Sequence, residues 1–504
     1  MEFTSILDCN DIKNRDLPEP SFFIDLNLDQ IIGKIQELWG KNIKKMFYYL
    51  PADEKTTLYR RDIYTDIKDK KLLQIFTEFI ERMDMYEDAI EKEKRARVTI
   101  QTKYWHITAA FFYCSAFKKL ADDLSGKELS SEGLKGFRDY LNAFLKSPEY
   151  TEIASETEAI RNELDGMKLL LAYNGDRFIV SEGTTDDTFE KKLDELFPDR
   201  PRTVKNPFSF TESLTSLEIE IYLVLADLKP KLFKRIELFI RKYEEYTDPT
   251  LIRFAKEIAF YLSFAGFEAE MNRSGYSFCR PDFNPDKDMC ADELYDLALA
   301  CVNLQENKPV VSNSFSYHKD EKFFVVTGPN QGGKTTFARS LGQLVYFARM
   351  GLYVPAAHAN LHYFNDILTH FSVEESVETG RGKLKEELIR LAPMMSTNKT
   401  NSFVIINELF TTAANYDAGI MGKKVLAHFI ELNCIGIYVT HIKELSEGHP
   451  GVVSLRAMLD SNNIQNFKIT RAPAVDDACA NNQINKYKLN YEQIKERLAA
   501  KFMQ

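Results

Sequence analysis

The pattern of apolar and polar positions changes near residue 275 and divides the chain into two parts. Before this point, apolar residues recur every three or four positions, which is the period of an amphipathic helix. One predicted helix face carries Leu225, Leu228, Leu232, Ile236, Phe239 and Tyr243. A partner helix is predicted after the Asp248–Pro249 break, with Phe254, Ile258, Tyr261 and Leu262 on its apolar side. We therefore predict an all-α domain over residues 1–275.

After residue 275, short apolar runs alternate with helical patterns. The runs FFVVT at 323–327, SFVIIN at 402–407 and IGIYVT at 435–440 show no alternation of polar and apolar residues. Such runs are typical of strands that are buried on both faces of a parallel sheet. Because helical patterns separate them, residues 276–504 are predicted to form an α/β domain, and the protein an α+β multidomain fold.

A segment rich in turn residues interrupts the helical pattern at 174–208. It begins with NGDRFIVSEGTTDD, continues with the basic PDRPRTVKNP, and includes a predicted short strand at Phe178–Val180. We interpret it as a small insertion at the tip of a helical pair.

Composition narrows the range of functions. The chain has 504 residues and a net charge of -10, so its overall charge gives no signal for nucleic acid or an anionic membrane. DNA binding would therefore require a local basic surface. The seven cysteines form no CxxC pair, and we interpret them as free thiols in a reducing compartment.

Targeting and membrane patterns are not recognised in the sequence. The first 20 residues lack a basic region followed by an apolar one. The longest nearly apolar run, Ile107–Phe117, is shorter than the roughly 20 residues that span a bilayer, and it is predicted to be a buried helix segment. We expect a cytoplasmic protein without membrane contact.

Phosphate chemistry is indicated by the string GPNQGGKT, which directly follows the FFVVT strand and precedes a helical stretch. Glycine lets backbone N–H groups approach a phosphate, and a helix N-terminus opposes its charge. Lys334 is expected to reach the β- and γ-phosphates, and Thr335 to offer its hydroxyl to Mg²⁺. The predicted nucleotide-binding residues are Gly328, Pro329, Asn330, Gln331, Gly332, Gly333, Lys334, Thr335 and Thr336. The alternative is a purely structural glycine turn.

Two further strand ends carry candidate catalytic and metal-binding groups. P-loop ATPases usually have an Asp that holds Mg²⁺ through water, followed by a Glu that polarises the attacking water. Here the pair is Asn407 and Glu408, so the first residue offers an amide oxygen without charge. His441 follows the next strand, and the carboxyl ends of parallel strands face the ligand. The alternatives are that Asn407 only caps its strand and that His441 is structural.

These motifs resemble those of the MutS family of DNA mismatch-repair ATPases. GPNQGGKTT is similar to the family's GPNxxGKST loop, and GLYVPA at 351–356 is similar to its G-x-(Y/F)-V-P-A segment. NELFTTAANYDA at 407–418 is in register with DE-x-G-R-G-T-S-T-Y-D-G, and VTHIKEL at 439–445 resembles ATH-x-x-EL. The resemblance covers residues 320–445. It implies an ABC-type P-loop ATPase domain over 276–504 with a helical dimerisation tail, preceded by core and lever helices with a reduced clamp at 174–208.

The sequence departs from the family pattern at three places. Asn407 replaces the usual acidic residue, which predicts slow hydrolysis. Phe410, Thr411 and Thr412 replace G-R-G in a loop that is expected to face a partner subunit. The GRSTF signature, which contacts ATP across the dimer, corresponds to Gly380–Leu384 and lacks its serine. These changes indicate a divergent MutS-like branch.

The family's N-terminal mismatch-binding domain, with its Phe-x-Glu motif, is not recognised in this sequence, which enters a helical pattern almost at once. Phe76–Glu78 lies inside that pattern and Phe210–Glu212 lies beside the insertion, so we interpret both as chance matches. A nuclease-like domain is not expected after Arg471.

The resemblance implies ATP and Mg²⁺ as ligands and a DNA-binding homodimer that closes on ATP binding and opens on hydrolysis. Lys334, Glu408 and His441 are the expected catalytic residues, and Thr335 and Asn407 the expected metal ligands. DNA recognition, in mismatch repair or recombination, would rest on shape and backbone charge. The alternatives are a nucleotide-gated protein scaffold with negligible hydrolysis, and an ABC/SMC-type ATPase, which would require heptad repeats that the sequence lacks.

Overall fold

The computed structural model describes most of the chain. The residues that it describes are 3–8, 18–167, 169–173, 178–183, 216–285, 288–306, 308–372, 383–396, 398–460, 464–475 and 494–495. The chain divides into two compact units. Unit 1 consists of Met1–Asp11 and Asp66–Leu262, and unit 2 of Ile12–Thr65 and Ser263–Gln504.

Helices dominate the first half of the chain and alternate with strands in the second. The α-helices are α1 (Phe22–Asp25), α2 (Leu28–Trp39), α3 (Glu54–Ile67), α4 (Lys70–Arg95), α5 (Thr99–Leu124), α6 (Glu132–Leu145), α7 (Pro148–Asp165), α8 (Ser216–Leu228), α9 (Pro230–Lys242), α10 (Pro249–Arg273), α11 (Leu297–Glu306), α12 (Lys334–Arg349), α13 (Lys383–Met394) and α14 (Asn415–Glu431). Short 3₁₀ helices lie at Lys44–Phe47 and Lys443–Leu445. Within the described ranges, no helix has the length and apolarity needed to cross a membrane.

The strands form three sheets. They are β1 (Leu169–Tyr173), β2 (Phe178–Glu182), β3 (Asp282–Phe283), β4 (Met289–Leu294), β5 (Asn313–Tyr317), β6 (Phe323–Thr327), β7 (His358–Leu361), β8 (Ile367–Phe371), β9 (Phe403–Asn407), β10 (Ile435–Val439), β11 (Val452–Leu459) and β12 (Gln465–Arg471). The sheet orders are β1-β2, β12-β11-β6-β10-β9-β8 and β3-β7-β4-β5. The protein is therefore α+β, as the sequence predicts.

Unit 1 is built around α5, which packs against α4 and α7. The Ile107–Phe117 run lies within α5, where Ile107, Tyr113 and Phe117 are buried, so the prediction of a buried helix segment is confirmed. The ring of Phe117 lies 5.2 Å from that of Phe79 on α4, centroid to centroid. Aromatic packing of this kind gives unit 1 a core of its own.

The prediction of one continuous helix from Leu225 to Tyr243 is wrong, because the chain forms two helices there. α8 ends at Leu228, and α9 begins with Pro230 at its first position. Proline has no N–H to donate and its ring clashes with the preceding turn, so it begins a helix and does not continue one. The break leaves Leu228 44% exposed, although Leu232 is buried as predicted.

The strand predicted at Phe178–Val180 is confirmed. It belongs to β2, which pairs antiparallel with β1. The remainder of the 174–208 insertion lies outside the described residues.

The larger sheet of unit 2 contains the three strands that were predicted from unbroken apolar runs. β6, β9 and β10 are buried at every position, and β8, β9, β10, β6 and β11 are mutually parallel in that order. β12 is antiparallel and lies at one edge. Because β6 and β9 both flank β10, the chain segments that follow these three strands leave the same edge of the sheet side by side.

The division into units differs from the predicted boundary at residue 275, because Ile12–Thr65 belongs to unit 2. The hydrogen bonds of α12 show the reason. Tyr346 Oη donates to Phe47 O at 2.6 Å, and Arg349 Nη2 donates to Pro51 O at 2.6 Å. The early segment therefore covers part of the α12 surface. Helical periodicity cannot reveal this, since it shows that a face is buried but not which core it covers.

Candidate nucleotide-binding site

The chain between β6 and α12 forms a tight loop over residues 328–333. Gly328 has a φ of 124° and Gly333 a φ of 86°. Residues other than glycine rarely adopt such positive φ values, because their Cβ atom makes the conformation unfavourable. A Cβ on Gly328 would also lie 3.0 Å from the Cβ of Ala457 on β11. The loop ends at the N-terminus of α12, where the backbone N–H groups of the first turn and the helix dipole favour an anion. The predicted order of strand, loop and helix is thus observed.

Lys334 is the first residue of α12, and its side chain extends back into the loop. Its side chain is 4% exposed, and its Nζ donates to the carbonyl oxygens of Gly328 and Pro329, at 2.9 Å in both cases. A buried ammonium requires such oxygen partners. The loop therefore holds a positive charge directly beside the N-terminus of α12.

Thr335, the next residue, contacts the end of β9. Its Oγ1 donates to Asn407 Oδ1 at 2.9 Å. Asn407 lies opposite Val439 of β10 and Phe371 of β8 in the parallel register. The two residues predicted as metal ligands are therefore brought together, in contact with each other.

The Thr335 hydroxyl and the Asn407 amide are oxygen donors of the type that Mg²⁺ prefers, but neither carries a negative charge. A hydroxyl and an amide oxygen are both hard oxygen ligands, whereas Mg²⁺ sites in proteins usually include a carboxylate. In the part of the chain that the structure describes, no group of three or more His, Cys, Asp and Glu side chains could hold a metal. A Mg²⁺ ion bound at Thr335 and Asn407 would therefore take its negative ligands from phosphate.

Glu408 and His441 form a second pair. His441 Nε2 lies 3.1 Å from Glu408 Oε1, with the side chains 48% and 31% exposed. The Glu408 backbone N–H donates to Val439 O at 2.9 Å, and the N–H of Thr440, the residue before His441, donates to Val326 O at 3.1 Å. Glu408 and the residue that precedes His441 are therefore fixed to the sheet. Glu408 has a φ of 55°, an uncommon value for a residue other than glycine. Such values often mark functional sites.

A cavity of about 370 Å³ lies against the loop. Its lining includes the loop and helix residues Asn330, Gln331, Gly332, Gly333, Lys334, Thr335 and Thr336, together with Glu408. Of the other predicted site residues, Gly328, Pro329, Asn407 and His441 are not part of the lining. Each of them instead contacts a residue of the lining. Gly328 and Pro329 accept hydrogen bonds from Lys334, Asn407 accepts one from Thr335, and His441 pairs with Glu408.

Sequence reasoning missed the apolar side of this cavity. Leu299 on α11 and the consecutive Pro309, Val310 and Val311 contribute to its lining, as does Tyr295. Apolar walls with a few polar groups are typical of small-molecule sites. The sequence provides no signal for them, because these residues precede Gly328, the start of the loop, by 17 to 33 positions in a stretch without a recognisable motif.

Phe467 is another cavity residue that was not anticipated. It has a φ of 59° and is 43% exposed, although it is aromatic and lies within β12. A Cβ on Gly333 would lie 3.5 Å from Phe467 Cβ, so the ring stands next to the loop. Asn313 fixes this strand, because its Nδ2 donates to Phe467 O at 3.1 Å and its Oδ1 accepts from Ile469 N at 2.8 Å. Because the backbone of Phe467 is fixed and its ring is exposed, the ring offers a surface on which a planar base can stack.

Other predicted features lie outside the described residues. They are Gly380–Gly382 of the signature segment, the basic part of the insertion, and the C-terminal tail apart from residues 494 and 495.

Comparison with known proteins identifies the family. The sequence profile described as MutS domain V matches residues 324–484, which contain the loop, Asn407, Glu408 and His441. Over this segment, the chain is similar to the MutS family. Its divergence from the MutS pattern is visible in the partial matches to individual relatives.

Three relatives in the MutS family illustrate the extent of the similarity. DNA mismatch repair protein msh-2 of Neurospora crassa is 26% identical over 212 residues, or 41% of this chain and 22% of that protein. Spellchecker 1 of Drosophila melanogaster is 30% identical over 156 residues, or 31% and 17%. DNA mismatch repair protein MutS of Thermotoga maritima is 25% identical over 341 residues, or 66% and 41%. The chain thus matches well under two thirds of each relative's length.

Proposed function

We propose that this protein is a Mg²⁺-dependent, ABC-type P-loop ATPase of the cytoplasm that works as a homodimer and acts on DNA. One observation carries the proposal. The Lys334 loop, the Thr335–Asn407 pair and the Glu408–His441 pair all lie at the carboxyl edge of one parallel sheet. Lys334, Thr335 and Glu408 also line the same cavity. Ligands of α/β folds bind at this edge.

The proposed roles follow from the contacts. The loop N–H groups and the start of α12 bind the phosphates, and the Lys334 ammonium neutralises part of their charge. Thr335 and Asn407 hold Mg²⁺, which would supply charge neutralisation at the phosphates. Glu408 accepts a proton from the attacking water, and His441 orients the Glu408 carboxylate through their hydrogen bond. Phe467 and the Val310–Val311 wall accommodate the base.

DNA enters the proposal through the relatives, whose names describe DNA mismatch repair proteins. In the proposed cycle, ATP binding closes a homodimer around DNA and hydrolysis opens it, which requires the nucleotide to bind the two states with different affinity. The reduced clamp at 174–208 would contact the DNA backbone.

A salt titration with and without ATP tests the DNA assignment. Binding of duplex and branched DNA is expected to weaken by at least about 10-fold between roughly 50 and 200 mM salt, because each phosphate contact releases counterions. Reversing the charge at Arg200, Arg202 and Lys205, which lie outside the described residues, is expected to weaken binding by a further factor of about 5 and to reduce the salt slope.

A charge-matched control separates a local surface from net charge. The triple variant Lys68→Glu, Lys70→Glu and Lys71→Glu changes the net charge by the same amount near the start of α4. It is expected to bind DNA about as well as the wild type. Undetectable binding at low salt would overturn the DNA assignment but not the nucleotide site, and equal losses in both triple variants would overturn the role of the insertion.

Asn407 gives a prediction about the metal. Asn407→Asp keeps the acceptor for Thr335 and adds a negative charge, so it is expected to lower the Mg²⁺ concentration for half-maximal turnover by about 3- to 10-fold. Turnover at varied Mg²⁺ concentration measures this. Asn433→Asp, at the opposite edge of the same sheet, is the control. An unchanged Mg²⁺ requirement in Asn407→Asp would contradict the metal role of residue 407.

A nucleotide-gated scaffold with negligible hydrolysis is the second candidate function. It is favoured by the neutral amide of Asn407 at a position where a carboxylate usually helps to hold Mg²⁺. The two candidates differ in whether turnover depends on Glu408.

A further inference from the structure

α13 supports the turn that follows Glu408. This turn leaves β9 and reaches α14, and it contains two residues with left-handed backbone, Glu408 at 55° and Phe410 at 63°. Left-handed conformations are unfavourable for such side chains and persist only where the surroundings hold them. The orientation of the Glu408 carboxylate therefore depends on what holds the turn.

One of these supports is a buried carboxylate on α13. Glu387 is 4% exposed, and its Oε2 accepts a hydrogen bond from the Phe410 backbone N–H at 3.2 Å. A carboxylate buried at this position is costly unless it accepts hydrogen bonds, and a charged acceptor makes a stronger bond than a neutral one. The Glu387 side chain thus holds the left-handed residue that lies two positions after Glu408.

Apolar packing strengthens the same connection. Leu409 and Phe410 are 3% and 2% exposed and belong to one buried cluster with Leu391 and Met394 of α13. The helix is also fixed to the sheet, because Arg390 Nη1 donates to Phe371 O at 2.9 Å at the end of β8. A shift of α13 would therefore move the turn and, with it, the backbone of Glu408.

We propose that Glu387 is a positioning residue for ATP hydrolysis, which holds the Glu408–Phe410 turn and makes the alignment of Glu408 depend on α13. The inference rests on the proposed ATPase function and deepens it. α13 begins at Lys383, within the Gly380–Leu384 segment that the family resemblance places near a second subunit. Displacement of that segment would change the rate of hydrolysis through Glu387, without direct contact between the segment and Glu408.

Paired substitutions of Glu387 test this inference. Glu387→Ala removes the acceptor and is expected to lower kcat about 10-fold while KM for ATP changes less than about 3-fold, since Glu387 does not line the nucleotide cavity. Glu387→Gln keeps an oxygen acceptor for the Phe410 N–H and is expected to retain kcat within about 3-fold. Glu386→Ala, on the same helix, is the matched control and is expected to behave as the wild type.

Amide hydrogen exchange provides a second measurement that does not require turnover. Peptides covering residues 408–413 are expected to exchange faster in Glu387→Ala than in the wild type, and near the wild-type rate in Glu387→Gln. All variants are compared below their thermal midpoints, so that a loss of global stability is not mistaken for a local change.

The outcomes separate the two proposals. If the wild type does not hydrolyse ATP, the proposed ATPase function fails. If the wild type is active and Glu387→Ala keeps both its kcat and its exchange rate over 408–413, the positioning role fails. Equal losses of kcat in Glu387→Ala and Glu387→Gln, or a rise in KM that matches the fall in kcat, would also overturn the positioning role.

Discussion

Lys334→Met is expected to weaken ATP binding by about 100-fold. The substitution keeps most of the side-chain volume but removes the buried ammonium that the Gly328 and Pro329 carbonyls hold inside the loop. A hydrogen bond to a charged group contributes about 1.5–3 kcal/mol, and about 2.8 kcal/mol corresponds to a 100-fold change in affinity. The effect is large because the ammonium is held in place before the phosphate arrives, so little ordering remains to be done on binding.

Titration of a fluorescent ATP analogue measures the affinity of this variant. Lys322→Ala is the matched control. Lys322 lies directly before the first residue of β6, whereas the loop follows the last residue of β6. The Lys322 Nζ donates to Asn433 Oδ1 at 3.3 Å. The thermal midpoint without nucleotide shows whether Lys334→Met is folded. A folded variant that binds ATP within about 3-fold of the wild type would contradict the assignment of this loop to phosphate.

The elements that position the site were predictable because burial on both faces leaves a simple pattern. β6, β9 and β10 are unbroken apolar runs. Glu408 follows β9 and His441 lies two residues after β10, whereas β6 leads into the glycine-rich loop at the same edge of the sheet. Parallel neighbours bring such groups together without any further information. The contact between Thr335 and Asn407 and that between Glu408 and His441 follow from this geometry.

The apolar half of the cavity was not predictable from local patterns. Phe467 and Val310 are more than 100 positions apart in sequence, and neither lies in a recognisable motif. Phe467 is also in a conformation that is uncommon for an aromatic residue, and Asn313 holds the β12 backbone there by donating to Phe467 O and accepting from Ile469 N–H. Long-range contacts of this kind decide the shape of a pocket, whereas sequence periodicity reports only on local structure.

At Asn407, the sequence and the structure each give a different part of the information about the metal site. The sequence indicates a missing negative charge, and the structure adds that the Asn407 amide oxygen accepts the Thr335 hydroxyl hydrogen. A carboxylate at this position could accept the same bond, so the geometry of the pair does not require Asn. The substitution therefore changes the electrostatics at Mg²⁺ more than the arrangement of the site.

Glu408→Gln is expected to lower ATP turnover by at least about 100-fold and to leave ATP binding within about 3-fold of the wild type. Loss of a general base typically costs about 10² to 10⁴ in rate. The amide of Gln is similar in shape to the carboxylate and its oxygen can still accept a hydrogen bond from His441, but it cannot take a proton from water. Glu408 is one of the residues that line the cavity, and in the proposal the loop and Lys334 bind the phosphates, so the Glu408 charge is expected to contribute little to nucleotide affinity.

Steady-state phosphate release and nucleotide titration on the same preparations separate rate from binding. Glu444→Gln is the matched control, because Glu444 is exposed in the 3₁₀ helix that follows His441 and does not line the cavity. If Glu408→Gln turns over ATP as the wild type does, or if the wild type releases phosphate no faster than buffer, Glu408 is not the general base. In the second case the nucleotide-gated scaffold would be the better account of the site, since ATP binding through Lys334 does not depend on hydrolysis.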